Sequence, residues 1–188
     1  LYDVLADFDG RMALKVLGRM ESSPQYATDR DLRAWVNLNR SHVYGIMGLY
    51  HKANSITGGI NPNTLSKEEQ LHYYQVSFEN YAKIAEYMSD IDVVQDEEKQ
   101  MIVLFDSIIA LQPEGMGRAI TMAQKEVYLG NATDAEEILN PYMNASGHTD
   151  MREARMVMAH IYQLQNRRLD YIYELARVAT YDIRHASN

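Results

Sequence analysis

Glu69 and His72, three positions apart, and Asp182 and His185, spaced the same way, are the residues of this chain best placed to do chemistry together. A carboxylate and an imidazole one turn apart project from the same side of a helix, the spacing used by carboxylate-bridged metal centres in helical bundles. Such a centre needs two of these pairs and two further carboxylates, all projecting inward from four long helices. Glu79 and Glu86 are available as extra acids, but Asp182 and His185 stand where the apolar periodicity of the chain runs out. Glu69 also follows Ser66 by three residues, the spacing of a capping box, in which the hydroxyl and the carboxylate each take up a free backbone amide at a helix start. The capping role accounts for Glu69 without a metal, and no metal ligand is assigned.

Other constellations resolve in the same direction. Asp7, Phe8, Asp9 and Gly10 resemble the opening motif of haloacid dehalogenase-like phosphatases. That resemblance implies an Asp that attacks phosphate and a second that serves as acid and base, held at the end of a parallel strand with further motifs on later strands. No segment reads as such a strand, so Asp9 is expected to cap a helix instead. The acidic run Asp90, Asp92, Asp96, Glu97 and Glu98 lacks the glycine and closing Glu of a calcium loop, and suits the positive end of a helix. His42, His51, His148 and His160 have no ligand spacing with one another, and no Gly-x-Ser-x-Gly elbow presents a nucleophile. The absence of Cys excludes disulfides, thiolate nucleophiles and Cys-ligated zinc, and is compatible with oxidising and reducing compartments alike. No catalytic or cofactor-binding residue is assigned, no cofactor is expected, and the chain is expected not to be an enzyme.

Charge narrows the partners. The 188 residues carry a net charge of -8, concentrated where residues 64–114 hold 11 acids against 3 bases, while residues 151–188 hold 6 bases against 4 acids. An acidic chain with scattered arginines has no track for phosphates, so nucleic acid is not an expected partner. No apolar run reaches the roughly 18 residues of a membrane span. A chain opening on Leu1 rather than Met is expected to be a processed or shortened form, from which an export signal would already be missing.

The elements that would position any site are helices throughout, interrupted at Pro24, Pro62, Pro113 and Pro141. A first helix is expected over 11–20 with Met12, Val16 and Met20 on its stripe, and a second over 28–55 whose stripe runs from Leu32 to Tyr50. Gly45 and Gly48 inside the second permit close approach or a bend. The loop 57–63 leads to a helix opened by the Ser66 and Glu69 box, with Leu71, Tyr74, Phe78 and Tyr81 on its buried face. Thr133 with Glu136 and Asp150 with Glu153 read as further helix starts, and Pro141 should stop its helix near Asn140.

A helical hairpin recurs near the end of the chain at a spacing of 36, with Ala123, Gly130, Ala135 and Leu139 answered by Ala159, Asn166, Tyr171 and Leu175. These residues, with Leu129, resemble the tetratricopeptide repeat (TPR) family over residues 116–180. The resemblance implies stacked helical hairpins and a concave protein-binding surface without catalysis.

The expected fold is therefore all-α, with seven or eight helices as antiparallel hairpins stacked in a TPR-like α-solenoid with a right-handed superhelix. A single domain is expected over 1–188: irregular long-helix hairpins to 115, two TPR-like hairpins over 116–183, and a frayed tail over 184–188. The expected function is a protein-interaction or scaffold module for a peptide or protein. Its partner-binding residues are Gln124, Tyr128, Arg155 and Tyr162, on first helices and pointing away from the hairpin contact. The alternative is a ferritin-like bundle that binds a metal or small ligand through Glu69, His72 and nearby carboxylates. Fourteen Tyr against 3 Phe and 1 Trp fit a recognition surface, since tyrosine covers apolar area while keeping a hydroxyl available.

Overall fold

The computed structural model describes residues 10–88, 94–144 and 150–186, with side chains at 10–84, 99–144 and 150–183. Among these the protein is all-α, with ten α-helices and no strand. It forms two compact units, Leu1–Leu111 and Gln112–Asn188. The first holds α1 (Gly10–Glu21), α2 (Pro24–Thr28), α3 (Arg30–Ile46), α4 (Tyr50–Thr57), α5 (Lys67–Met88) and α6 (Val94–Leu111). The second holds α7 (Met116–Tyr128), α8 (Ala132–Leu139), α9 (Met151–Leu164) and α10 (Arg168–Ala186).

The helix count exceeds the expected seven or eight because the single helix expected over 28–55 is two, α3 and α4, and the short α2 precedes them. Asp29 caps α3 by accepting from Leu32 N–H at 2.9 Å, which separates α3 from the short α2. The second break is at Gly48, whose φ of +76° a β-carbon would disfavour. The apolar stripe continues on both sides of Gly48, so helical periodicity alone conceals the turn.

That turn is the same one that closes the two repeated hairpins. At α3/α4 the Leu49 N–H donates to the Tyr44 carbonyl at 2.8 Å, at α7/α8 Asn131 donates to Glu126 at 2.8 Å, and at α9/α10 Arg167 donates to Tyr162 at 2.8 Å. Each wraps around one left-handed residue: Gly48 at +76°, Gly130 at +81° and Asn166 at +59°. This is the geometry in which a left-handed residue satisfies carbonyls left over at a helix end. Counted from those residues, Ser41, Ala123 and Ala159 stand seven before and are all fully buried. Ala53 and Ala135 stand five after and are also fully buried, whereas the third equivalent, Tyr171, is only half-buried. A hairpin of the repeat type therefore lies within the segment the sequence reads as irregular.

Packing repeats the theme inside each unit. In the first, α5 lies against both α3 and α4; in the second, α9 lies against both α7 and α8. The second unit is built on a continuous apolar cluster including Ile120, Ala123, Leu139, Met158 and Ile161. In the first, Ala13 and Leu17 of α1 pack with Val36 and Val43 of α3. This corrects the stripe expected on the first helix: Met12 is exposed and the buried face is one position further round. Gly10 lies on that same face, close against α3: a β-carbon there would stand 2.8 Å from Met47 Cγ.

The Ser66 box forms as expected, with Glu69 Oε2 accepting from Ser66 N–H at 2.9 Å and Ser66 Oγ from Glu69 N–H at 3.3 Å. Glu136 and Glu153 do not cap their helices, because each carboxylate is engaged by a neighbouring helix or its flanking turn. Pro141 follows the end of α8 inside a short 3-10 turn, Asn140–Tyr142, as its missing N–H requires. The last helix continues to Ala186, past the expected end near 183. Asp7, Phe8, Asp9 and the acidic side chains of 90–98 lie outside the described residues.

Candidate functional site

Three of the four residues expected to bind a partner retain access to solvent, and one does not. Gln124 on α7 is half-buried and its Nε2 donates to Glu153 Oε1 of α9 at 3.0 Å, tying two first helices together across their shared face. Tyr128, at the end of α7, is exposed. Tyr162 on α9 packs partly on the apolar cluster, with the Arg167 guanidinium 4.2 Å from its ring centre. Burial, reinforced by the Glu136 carboxylate, pushes the Tyr162 hydroxyl above its ordinary pKa despite Arg167.

Arg155 is different. It is only 7% exposed, and its Nη1 donates to Glu174 Oε2 of α10 at 2.8 Å. The expectation that it points away from the hairpin contact fails, because α9 is covered by α7, α8 and α10 and little of its surface remains free. The guanidinium is a closed internal ion pair. The exposed residues of α9 are instead Arg152, Glu153, His160, Gln163 and Leu164.

The residues of the alternative reading do not converge. Glu69 is committed to its cap, and His72 lies beside His42 of α3, their ring centres 6.4 Å apart. Burial, and then His42, lower the His72 pKa, while Glu79 opposes them. Asp182 is held by Arg152, with Nε–Oδ1 at 2.6 Å. Among the described residues no three His, Asp or Glu side chains are grouped closely enough to hold a metal ion.

The first unit contains a feature the sequence reading missed, a cleft of about 430 Å³ between α3, the start of α4, and α5. Ile46, Tyr50, Phe78 and Ala82 give it apolar walls, and His42, Glu79, Asn80 and Lys83 give it polar groups. His42 Nδ1 stands 3.5 Å from Glu79 Oε2 across it. Phe78 is fixed from behind by Phe105 of α6, in an edge-on contact with ring centres 4.6 Å apart.

The floor depends on Gly45. Asn80 Oδ1 lies 2.5 Å from where a β-carbon on Gly45 would be, so only glycine allows this approach. Asn80 Nδ2 donates to Ser41 Oγ at 3.3 Å, and Ser41 Oγ donates to the Ala53 carbonyl at 3.0 Å. One buried polar chain thus ties α3, α4 and α5 together. The available sequence signal was Gly45 followed by exposed Ile46, but it becomes a site only when α5 is placed opposite.

One family model, described as SusR N-terminal TPR domain, matches residues 1–188. The match extends beyond the 116–180 segment that carries the sequence resemblance and includes the first unit. Neither a curated protein nor a solved structure matches the chain.

Proposed function

The chain belongs to the SusR N-terminal TPR domain family, and from that membership we propose that it is a non-catalytic interaction or scaffold module that seats a peptide or protein partner on its helical-repeat surface. TPR-type domains generally support protein–protein interaction and are typically non-catalytic. The observation that carries the reading is the cleft between Ile46 and Phe78, whose volume of about 430 Å³ falls in the range of roughly 300–1,000 Å³ that pockets occupy. An apolar or aromatic partner side chain fits its walls. Glu79, with its largely exposed carboxylate, suits a neighbouring positive charge on the same peptide.

A second surface, favoured by the exposed Tyr128 ring beside the Gln124 to Glu153 link, is the outward face of α7 and α9 with Tyr162 at its end. Arg155 supports that face from within by fixing α10 to α9. The test is capture of a partner from the native cell, identification by mass spectrometry, and measurement of its affinity for variants. Ile46→Glu in the cleft should weaken binding at least about 30-fold, the equivalent of an anchor worth about 2 kcal/mol, with no change in melting temperature. Loss with Tyr128→Ala instead would move the site to the second surface. Unchanged affinity in both variants would exclude both.

A further inference from the structure

We propose that the outward face of α10 is a docking surface for a separate amphipathic α-helix whose apolar stripe is edged by carboxylates. This goes beyond the reading above, because α10 is a second helix and takes no part in the cleft or in the α7 and α9 face.

The inner side of α10 is accounted for: Glu174 and Val178 are buried against the rest of the unit. The opposite side carries Leu169, Ile172, Tyr173 and Ile183, which are 84%, 50%, 59% and 71% exposed, with the exposed Ala176 between them. The spacing is that of one helical face, interrupted by the exposed Thr180 between Ala176 and Ile183. At a rise of about 1.5 Å per residue the stripe is roughly 21 Å long, about four helical turns. An exposed apolar strip of this length marks an interaction site.

The preceding hairpin provides an internal control. At the repeat spacing, Leu169 and Tyr173 correspond to Thr133 and Glu137 of α8, and both of those are exposed and polar. The hairpin architecture therefore does not require apolar residues at these positions. The same unit also shows what kind of object covers an adjoining flank of a second helix, since α9 is an α-helix lying along α8.

Charge selects the chemistry of the occupant. The three described carboxylates of α10 each hold an arginine: Asp170 holds Arg167, Glu174 holds Arg155, and Asp182 holds Arg152. Arg168 and Arg177 flank the exposed stripe on opposite sides, and neither has a carboxylate partner among the described residues; Arg177 lies 5.4 Å from the Tyr173 ring centre. A second copy packed antiparallel on this face would bring two Arg177 side chains together at the middle of the helix, an unfavourable like-charge contact. A helix with Glu or Asp along the edges of its apolar stripe meets both arginines instead.

The probe is a synthetic four-turn helical peptide with a Leu and Ile stripe edged by Glu, compared with an otherwise identical peptide edged by Lys. Fluorescence anisotropy should show tighter binding of the Glu-edged peptide to the whole protein. Leu169→Asp and Ile172→Asp should each weaken it at least tenfold without changing the melting temperature, and Ile46→Glu in the cleft should leave it unaltered. The double variant Arg168→Glu with Arg177→Glu should reverse the preference in favour of the Lys-edged peptide. No binding, equal binding of the two peptides, or binding indifferent to Leu169→Asp would overturn the proposal. So would a concentration-dependent dimer in sedimentation that Leu169→Asp abolishes, which would identify a second copy as the occupant.

Discussion

Ser41 in the first unit and Ala123 in the second occupy the same place in their hairpins, seven residues before a left-handed glycine, and both are fully buried. Around Ala123 the contact is apolar, with Ala135 and Leu139 completing it. Around Ser41 it is polar, since the hydroxyl accepts from Asn80 and donates to the Ala53 carbonyl. The position therefore demands small volume first and tolerates a polar atom when every hydrogen bond is made. The second unit places its buried polarity elsewhere, in the Arg155 and Glu174 ion pair between α9 and α10. Two hairpins of one type thus share a backbone plan while differing in what locks them.

The largest effect is expected at the ion pair. Arg155→Ala should cost about 3–5 kcal/mol by leaving a buried carboxylate uncompensated, whereas Arg155→Met combined with Glu174→Leu should restore most of the loss. Denaturant unfolding measures both. A loss below about 1 kcal/mol for the single variant would mean that Arg155 is not a structural residue and would return it to the partner-binding surface.

Overpacking of the two small-residue contacts comes next. Gly45→Ala should cost about 1–3 kcal/mol through its collision with Asn80, and Ala123→Leu should cost a similar amount in the apolar contact. The comparison is sharpened by a cycle: adding Asn80→Ala should relieve part of the Gly45→Ala penalty, and simple additivity would show that the collision is not its source.

The turns should respond less. Gly130→Ala, which forces a β-carbon onto a φ of +81°, should cost about 1–2 kcal/mol, while Asn166→Gly should be nearly silent. Equal costs at the two positions would break the equivalence of the hairpins.

The smallest expected effect is electrostatic and confined to the first unit. Burial holds the folded His72 below its ordinary pKa of 6.5, so the unfolded chain takes up the proton more readily. The stability tied to a neutral His72 is present above pH 6.5 and declines as the pH falls below it, with His42 adding to the effect and Glu79 opposing it. His72→Gln should flatten the pH dependence of the unfolding midpoint between pH 7.5 and 5.5. An unchanged slope would remove His72 as its source.

Much of the fold could be read from residue types because the effects involved are local. The Ser66 and Glu69 box, the stop before Pro141 and the Gly130 turn each depend on a backbone group and a side chain within a few residues. The small residues Ala123 and Ala159 were legible for a related reason: two copies at one spacing disclose a shared constraint without revealing the contact itself. The first hairpin escaped notice because Ser41, Gly48 and Ala53 carry the same constraint inside an uninterrupted apolar stripe.

What the sequence by itself determined was the helical class, the hairpin unit, the absence of cysteine chemistry and the family likeness, since each follows from composition, periodicity or a short-range bond. The tertiary structure alone decided which side of each helix is closed. Arg155 and Tyr128 are equally plausible contact residues in a string of letters, yet Glu174 lies opposite one and solvent borders the other. Gly45 and Asn80 are 35 positions apart in the chain and meet only because α5 lies against α3. Helical periodicity specifies that a face is apolar, but what covers that face is set by distant segments, and their approach is a property of the packed chain.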